Sequence, residues 1–324
     1  MTQIITFIAG DGIGQEVIPA AREVIESLGL PLEFREAEAG FGTFEKTGNA
    51  LPPETLALCQ QSDAVLFGAT SSPMTKTPGY QSPILALRRH FDLFANLRPA
   101  VGEIIDMLIV RENTEGLYSR RERVEDDGQT AIAERVITAR ASERIVRVAS
   151  QQAMQRRQQL TIVHKANVLS ETCGLFRRVA FEVVKEFPDL TVNELLVDTA
   201  AMKLVQSPQN FDVIVTTNLF GDILSDLAAG LTGGLGIAPS ANMGVGRPAV
   251  FEPVHGSAPD IAGQGIADPR AAILSSAMML DFLGHTEIAE QVRRITYRAA
   301  HQGTTQATTE AIIHRLQEVA EYAK

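Results

Sequence analysis

The chain has 324 residues, of which 45% are hydrophobic and 21% charged, and its formal net charge at pH 7 is −10. This length predicts two domains with a sizeable core, and the composition excludes disordered and fibrous proteins. The negative charge argues against nucleic acid as a partner, because binding to phosphate requires clustered Lys and Arg.

Cysteine content and the absence of membrane signals restrict the kinds of site and the cellular location that we expect. Only Cys59 and Cys173 are present, far apart in the sequence, so we predict two buried, inert thiols and neither a disulfide framework nor a zinc site. No apolar run is long enough to cross a bilayer, and the start MTQIITFIAG lacks the features of a signal peptide. We therefore expect a cytoplasmic protein with no membrane partner.

Strands and helices alternate through the first two thirds of the chain. Residues 3–9 predict a short buried strand, and residues 12–29 predict a helix after a Gly-rich turn. Further strands, each followed by a helical segment, are predicted at 63–70, 160–167 and 211–218. This alternation predicts an α/β fold with a largely parallel sheet, in which ligands bind beyond the carboxyl ends of the strands.

The last third of the chain, from about Asp268, is rich in helical patterns. Met278 and Met279 lie in the first of these helices and predict a helix core instead of a cofactor contact. The sequence contains no internal repeat and no low-complexity linker, so we expect two interleaved domains. We place the first domain at 1–99 plus 251–324 and the second at 100–250.

The segment TTNLFGDILSDLAAG carries two carboxylates four residues apart. On a helix, Asp222 and Asp226 would project from one face, where they either share a divalent cation or form a solvated acidic face. The apolar and small residues around them favour a metal site. Carboxylate oxygens suit Mg²⁺ or Mn²⁺.

Other polar residues follow strand-like or apolar segments, and each has a structural alternative. Asp198 ends NELLVD, where it is either a helix N-cap or a further functional carboxylate. Lys165, which ends TIVHKAN together with Asn167, is either merely exposed or a base, because a nearby cation favours loss of the lysine proton. Tyr118 is one of four tyrosines and by itself predicts a packed aromatic ring with a solvated hydroxyl.

Three arginines are each flanked by apolar sequence, in ILALRR, FANLRP and LIVREN. These residues are Arg88, Arg98 and Arg111. A guanidinium in apolar surroundings requires a carboxylate partner, so the three together would bind a di- or tricarboxylic acid. Any one of them alone would instead form a structural ion pair.

Six motifs, in chain order, make this sequence resemble a known family: GDGIG (10–14), LFANLRP (93–99), RENTEGLY (111–118), HKANVL (164–169), TTNLFGDILSD (216–226) and EPVHGSAPDIAGQGIADP (252–269). It resembles the β-decarboxylating dehydrogenases, the family of isocitrate, isopropylmalate, homoisocitrate and tartrate dehydrogenases, over essentially its whole length. The resemblance implies an isopropylmalate-dehydrogenase-like three-layer α/β fold with a mixed, largely parallel sheet. It also implies a homodimer or tetramer whose active site is shared between subunits.

The resemblance assigns roles in catalysis and metal binding. Asp222 and Asp226 would bind Mg²⁺ or Mn²⁺ together with Asp198 of a second subunit. Lys165, also from that subunit, would help to deprotonate the substrate hydroxyl, and Tyr118 would protonate the enol that remains after CO₂ departs. The substrate would be a small hydroxy-carboxylic acid.

Residues of the substrate and nicotinamide sites follow from the same resemblance. Arg88, Arg98 and Arg111 would hold substrate carboxylates with help from Tyr118, Lys165 and Asn167, and Asn167 would lie near the nicotinamide. In the segment GYQSPILALRR, Ser82 can donate to a distal carboxylate. Ile84 and Leu85 would form an apolar wall suited to a longer chain.

The pattern around Ser82 resembles the homoisocitrate dehydrogenases of the family. It implies NAD-dependent oxidative decarboxylation of homoisocitrate to 2-oxoadipate and CO₂, a reaction of lysine biosynthesis. Isocitrate, 3-isopropylmalate and mixed specificity stay open, because one methylene discriminates by only about 1 to 3 kcal/mol. The non-enzyme alternative is a regulatory subunit.

Cofactor choice rests on the loop HGSAPDIAG, which approaches the adenosine ribose in the family. Asp260 followed by Ile261 resembles the NAD-type pair, since a carboxylate accepts hydrogen bonds from ribose hydroxyls and repels a 2′-phosphate. Relatives usually have Asn at the position of Asp268. The residues that we expect to contact NAD are Ile13, Thr70, Asn167, Glu252, His255, Gly256, Ser257, Ala258, Asp260, Ile261 and Asp268.

Overall fold

The computed structural model describes residues 2–73, 75 and 77–322. The chain divides into two compact units, unit 1 (Met1–Leu93 and Gly233–Lys324) and unit 2 (Phe94–Thr232). The chain thus leaves unit 1 and returns to it, and the predicted α/β class with a mixed, largely parallel sheet is confirmed. The functional domains predicted at 1–99 plus 251–324 and at 100–250 stay a prediction.

Strands and helices alternate along most of the chain, as the sequence pattern predicts. The first part of unit 1 contains β1 (Gln3–Gly10), α1 (Gly14–Ser27), β2 (Leu32–Glu36), α2 (Phe41–Thr47), α3 (Pro53–Gln60), β3 (Ala64–Ala69) and α4 (Pro83–His90). Unit 2 contains β4 (Ala95–Val101), β5 (Asp106–Glu112), β6 (Gly116–Glu125), β7 (Thr130–Val136), α5 (Ala139–Met154), β8 (Gln159–His164), α6 (Thr172–Val183), β9 (Thr191–Leu196), α7 (Val197–Gln206), β10 (Val213–Thr216) and α8 (Asn218–Leu231). The return to unit 1 contains β11 (Pro239–Met243), β12 (Ala249–Pro253), α9 (Arg270–Phe282), α10 (Thr286–Arg298) and α11 (Thr305–Tyr322).

In unit 1 the strands lie in the order β2, β1, β3, β12, β11. The first four strands are parallel, and β11 runs antiparallel to β12. Every residue of β3 is buried, as expected for a parallel strand covered on both faces. Met279 of α9 and Cys59 of α3 are also fully buried, which confirms the predicted helix core and the predicted buried thiol. Burial raises the pKa of the Cys59 thiol to about 12.

In unit 2 the order is β4, β5, β10, β8, β9, and all neighbours are parallel except β4 and β5. A core cluster that includes Met107, Ile109, Ile214 and Leu224 packs α7 and α8 against these strands. Strands β6 and β7 form a separate antiparallel pair, whose outer residues are largely exposed. Over the described ranges, no helix combines the length and apolar character needed to span a membrane.

Candidate functional site

Two of the predicted substrate arginines lie on one face of neighbouring strands in unit 2. The antiparallel pairing of β4 with β5 places Asn96 opposite Arg111, and Arg98 follows two residues later on the same face. Arg111 is 1% exposed and Arg98 is 9% exposed. Guanidinium groups buried to this extent require acceptors.

Helix α8 supplies those acceptors. Arg98 Nη1 lies 3.4 Å from Asp222 Oδ1 and 3.2 Å from Asp226 Oδ1. Arg111 Nη1 also donates to Asp222 Oδ1. The two carboxylates therefore lie within reach of one guanidinium, as their four-residue spacing on one helix face predicts.

A glycine and two asparagines set the orientation of the arginines. A Cβ at Gly221 would lie 2.6 Å from Arg111 Cγ, so only glycine lets α8 approach the strand this closely. Asn218 Oδ1 accepts from Arg111 Nε at 3.1 Å and from Nη2 at 2.7 Å. Asn96 Oδ1 accepts from Arg98 Nε at 2.7 Å. The sequence analysis missed both asparagines, although Asn218 lies four residues before Asp222 and so on its helix face.

Tyr118, near the start of β6, joins this group. Its hydroxyl donates to Asp222 Oδ2, and Arg111 Cζ lies 5.0 Å from the centre of its ring. Burial and the hydrogen bond to Asp222 both raise the pKa of Tyr118. The phenol therefore keeps its proton at neutral pH, which is the state required of a proton donor.

We refer to Arg98, Arg111, Tyr118, Asp222 and Asp226 as the arginine cluster. Partial burial, followed by repulsion from Asp222, raises the pKa of Asp226, while Arg98 and Arg111 oppose this effect. Two arginines and two aspartates balance each other in charge. If a cation bound to the aspartates and an anion bound to the arginines, the contacts between arginine and aspartate could be replaced without leaving a buried charge unpaired.

Lys165 and Asp198 form a second group, which we call the exposed pair. Lys165 Nζ lies 2.8 Å from Asp198 Oδ2, and the side chain of Asp198 is 64% exposed. The lysine holds the pKa of the Asp198 carboxyl below its usual range. The N-cap of α7 is Leu196, and Asp198 lies within the first turn, so the N-cap alternative for Asp198 is wrong. Asn167 is exposed in the turn that follows Lys165.

The described residues of one chain supply only some of the ligands that a metal ion would need. Over the part of the chain that the structure describes, no three His, Cys, Asp or Glu side chains are placed to hold one ion. Asp222 and Asp226 offer carboxylate oxygens, which suit Mg²⁺ or Mn²⁺. They fit as part of such a site, because both carboxylates lie on one face of α8 and the Asp226 side chain is 54% exposed.

Arg88 belongs to unit 1, whereas Arg98 and Arg111 belong to unit 2. Arg88 Nη2 donates to Glu252 Oε1 at 2.9 Å, and Asn242 donates to the same oxygen at 2.8 Å. Its Nε is buried and has no hydrogen-bond partner among the described residues. Arg88 is therefore a buried ion-pair partner whose Nε is available to an acceptor from outside the described chain.

Helix α4 and its N-cap contain the residues that are expected to determine substrate specificity. Ser82 occupies the N-cap position of α4 without a side-chain capping bond, and Leu85 is half-buried one turn before Arg88. Ile84 is half-buried as well and packs against the core cluster that contains Leu87. The apolar wall expected from Ile84 and Leu85 stays a prediction.

The predicted cofactor residues of unit 1 meet where β1, β3 and β12 end. Ile13 N donates to Ser257 O at 2.9 Å, and a Cβ at Gly12 would lie 2.0 Å from the same oxygen. Gly10 has φ +77°, and a Cβ there would contact both Ala69 O and the Thr70 side chain. The GDGIG turn therefore packs directly against the loop that starts at His255. Sequence reasoning missed Asp11, whose carboxylate accepts the backbone N–H groups of Phe41, Gly42 and Ser71 at 2.7 to 2.9 Å.

The loop from His255 to Ile261 offers both an exposed carboxylate and an unpaired acceptor. Gly256 and Asp260 are exposed, while Ala258 and Ile261 are half-buried. His255 Nδ1 lies 3.0 Å from Gly256 O and must donate, which leaves Nε2 as an acceptor. This Nε2 is buried without a partner in the described chain. Burial lowers the pKa of His255, so the ring is neutral. Farther along, Asp268 pairs with Arg270 at 2.7 Å.

Comparisons with known proteins identify the family of the chain. A family model described as isocitrate/isopropylmalate dehydrogenase matches residues 4–319. The isocitrate/homoisocitrate dehydrogenase of Thermus thermophilus is 54% identical over 334 residues, covering 98% of this chain and 99% of that protein. The 3-isopropylmalate dehydrogenase of Archaeoglobus fulgidus is 50% identical over 308 residues, covering 92% of each.

A solved structure extends the similarity to the whole fold. The crystal structure of isocitrate dehydrogenase from Methylococcus capsulatus superposes with a TM-score of 0.91 at 41% identity, covering 98% of this chain and all of that one. Coverage of this extent at this identity leaves no large part of the chain outside the shared fold. The chain belongs to the isocitrate/isopropylmalate dehydrogenase family, the β-decarboxylating dehydrogenases.

Proposed function

We propose that the chain catalyses NAD-dependent oxidative decarboxylation of a 2-hydroxy acid with a neighbouring carboxylate, and that homoisocitrate is its preferred substrate. The products would be 2-oxoadipate, CO₂ and NADH, a reaction of lysine biosynthesis. The arginine cluster carries the proposal, because two buried guanidiniums, two carboxylates and a protonated phenol lie in mutual contact. Few structural roles require all three kinds of group at one place.

Each group of the cluster has a task in this chemistry. Arg98 and Arg111 bind substrate carboxylates, with Asn96 and Asn218 fixing their orientation. Tyr118 donates its proton to the carbon from which CO₂ has left. A divalent cation held by Asp222 and Asp226 would polarise the substrate hydroxyl and carboxylate.

The remaining groups come from a second copy of the chain. Lys165 would take the hydroxyl proton, while Asp198 would add the third carboxylate to the metal site. Large apolar side chains exposed near both groups in the sequence support this arrangement, because exposed apolar surface is what an interface between chains covers. Val168 and Leu169 follow Lys165, Met202 and Val205 lie on α7 after Asp198, and Ile223 adjoins Asp222. We therefore propose a homodimer, or a tetramer built from such dimers.

Residues of unit 1 fit NAD as the hydride acceptor. The buried, unpaired Nε2 of His255 can accept an N–H group of the adenine, and the exposed Asp260 can accept hydrogen bonds from the ribose hydroxyls. Ile13, Thr70 and Ser257 surround the same strand ends. A phosphate on the ribose would meet the Asp260 carboxylate, so we expect NADP⁺ to be the poorer cofactor.

The proposed preference for homoisocitrate rests on the residues of helix α4 and its N-cap. Ser82 can donate to a distal carboxylate, Leu85 offers a half-buried apolar surface, and no acidic side chain stands at position 81 or 82 to repel an anion. A relative named isocitrate/homoisocitrate dehydrogenase supports this choice. A relative named 3-isopropylmalate dehydrogenase supports that substrate as the alternative.

Steady-state kinetics test the proposal. Purified protein with Mg²⁺ and NAD⁺ should reduce NAD⁺ with homoisocitrate, isocitrate or 3-isopropylmalate, and kcat/KM should be highest for homoisocitrate. A higher kcat/KM for either other acid would replace the substrate but keep the reaction. No NADH with any of the three acids would favour the regulatory-subunit alternative and overturn the proposal.

A further inference from the structure

A buried histidine directly precedes Lys165, and the proposed chemistry gives it no task. His164 is the last residue of β8 and is 4% exposed. The backbone N–H of Ala166 lies 3.1 Å from His164 Nδ1, and a backbone N–H can only donate. Nδ1 must therefore be unprotonated, so Nε2 carries the hydrogen and donates it to Glu194 Oε2 at 2.9 Å.

Glu194, on the neighbouring strand β9, is itself held in place. Arg177 donates to it through Nε at 2.5 Å and through Nη2 at 2.7 Å, a two-point contact that fixes the plane of the carboxylate. Arg177, together with His164, holds the pKa of Glu194 at about 2. Glu194 is thus an ionised acceptor for the histidine throughout the working pH range.

The same contacts define the turn that carries Lys165. The bond from Ala166 N to His164 fixes the peptide on one side of the lysine, while Lys165 O accepts from Val168 N at 3.1 Å and from Leu169 N at 2.9 Å. Lys165 Nζ then reaches Asp198, just beyond the end of β9. Two cross-links, from His164 to Glu194 and from Lys165 to Asp198, therefore join the ends of β8 and β9.

We propose that His164 and Glu194 are positioning residues that direct the side-chain nitrogen of Lys165 towards the substrate. The inference rests on the proposed function, since it assumes that Lys165 acts on the hydroxyl. A lysine has four flexible side-chain bonds, so the position of its nitrogen depends on how firmly its backbone is held. A displacement of about 1 Å at a reacting group can lower the rate about 100-fold.

Glu186, which also belongs to unit 2, provides a matched control for substitution of Glu194. Glu186 is also held at two points by an arginine, with Arg147 Nη1 at 2.5 Å and Nη2 at 2.9 Å, but it has no histidine partner among the described contacts. We expect Glu194→Gln to lower kcat about 10- to 100-fold, the usual effect of losing a group that orients a functional one. The KM for the hydroxy acid should stay within about twofold, because the arginines that bind the acid are untouched. Glu186→Gln should leave both constants unchanged.

Substitution of the histidine provides the second test. The amide of His164→Gln can still donate to Glu194, so this variant should keep more of the wild-type kcat than His164→Ala. Unchanged kcat in Glu194→Gln, or less activity in His164→Gln than in His164→Ala, would overturn the inference. A kcat loss accompanied by an equal loss in Glu186→Gln would overturn it as well. A wild-type protein without turnover on any of the three acids would instead overturn the proposed function.

Discussion

The arginine cluster and the exposed pair are both made of opposite charges in unit 2, yet they are held in different ways. In the arginine cluster, Arg111 is 1% exposed and is fixed by Asn218, Asp222 and the ring of Tyr118. In the exposed pair, Lys165 extends from a turn to a largely solvated Asp198. Folding of one chain completes the first group. We infer that the second is completed only when another chain covers it.

The largest expected effect comes from removing one oxygen from the arginine cluster. Tyr118→Phe should lower kcat by about 10²- to 10⁴-fold, because general acid catalysis contributes on that scale. NADH formation under saturating substrate measures this loss. Tyr297→Phe, on α10 of unit 1, is the control and should behave as wild type. A Tyr118→Phe enzyme with normal kcat would remove the tyrosine from the chemistry.

Mixed dimers would sharpen the comparison. Tyr118→Phe and Lys165→Met chains are each expected to be nearly inactive alone. If each site takes Tyr118 from one chain and Lys165 from the other, half of randomly mixed dimers contain one intact site. Activity should then recover to about a quarter of the wild-type value after co-refolding, since the two sites are related by symmetry. Failure to recover any activity would show that both residues act within one chain.

Substitution in the arginine cluster should lower folding stability more than substitution in the exposed pair. Arg111→Met removes the buried guanidinium that pairs with Asp222 and Asn218. We expect it to lower the free energy of unfolding by about 3 kcal/mol, the lower end of the range for breaking a buried ion pair, because Arg98 and Tyr118 still contact Asp222. Lys165→Met breaks an ion pair whose aspartate is largely solvated, and such pairs contribute little, so we expect a change of less than about 1 kcal/mol. Urea denaturation without substrate or metal measures both variants. Equal losses would mean that the exposed pair is not solvent-facing in the assembled protein.

The smallest expected effect is on how folding stability changes with pH. As pH falls, the contribution of Glu194 to stability decreases, whereas that of Asp226 increases. The folded-state pKa of Glu194, beside the exposed pair, is lowered to about 2, so its contribution is full above the ordinary carboxyl range and is lost as pH falls towards 2. The pKa of Asp226 is raised, so protonation of this group favours the folded state as pH falls. Thermal unfolding of metal-free protein between about pH 6 and pH 3 should therefore fall less steeply for Glu194→Gln and more steeply for Asp226→Asn than for wild type. Parallel curves for all three proteins would contradict both shifts.

Features set by local periodicity could be predicted from the sequence. The strands, the helix that carries Asp222 and Asp226, and the buried Met279 all follow from spacing along a few neighbouring residues. Partners that meet through the tertiary fold could not. Glu252 lies far from Arg88 in sequence, and nothing near Arg88 indicates that it will be the acceptor.

The omissions within the site have the same origin. The position of Asn218 on the helix face of Asp222 was a signal, but neither Asn96 nor Asn218 could be assigned a contact, because an asparagine side chain suits a turn, a cap or a buried contact equally well. The family resemblance indicated which residues to inspect, but it did not indicate what holds them in place.

The interleaved path of the chain has a consequence for biosynthesis. Unit 2 is one continuous segment, Phe94–Thr232, whereas unit 1 needs both Met1–Leu93 and Gly233–Lys324. A ribosome adds about 5 to 20 residues per second, so unit 2 is fully synthesised some seconds before β12 can pair with β3 and β11 with β12. Until then, the first part of unit 1 lacks β12 and the C-terminal helices, so its apolar strands are incompletely covered. Nascent chains stalled shortly after Thr232 are therefore where chaperone binding should concentrate.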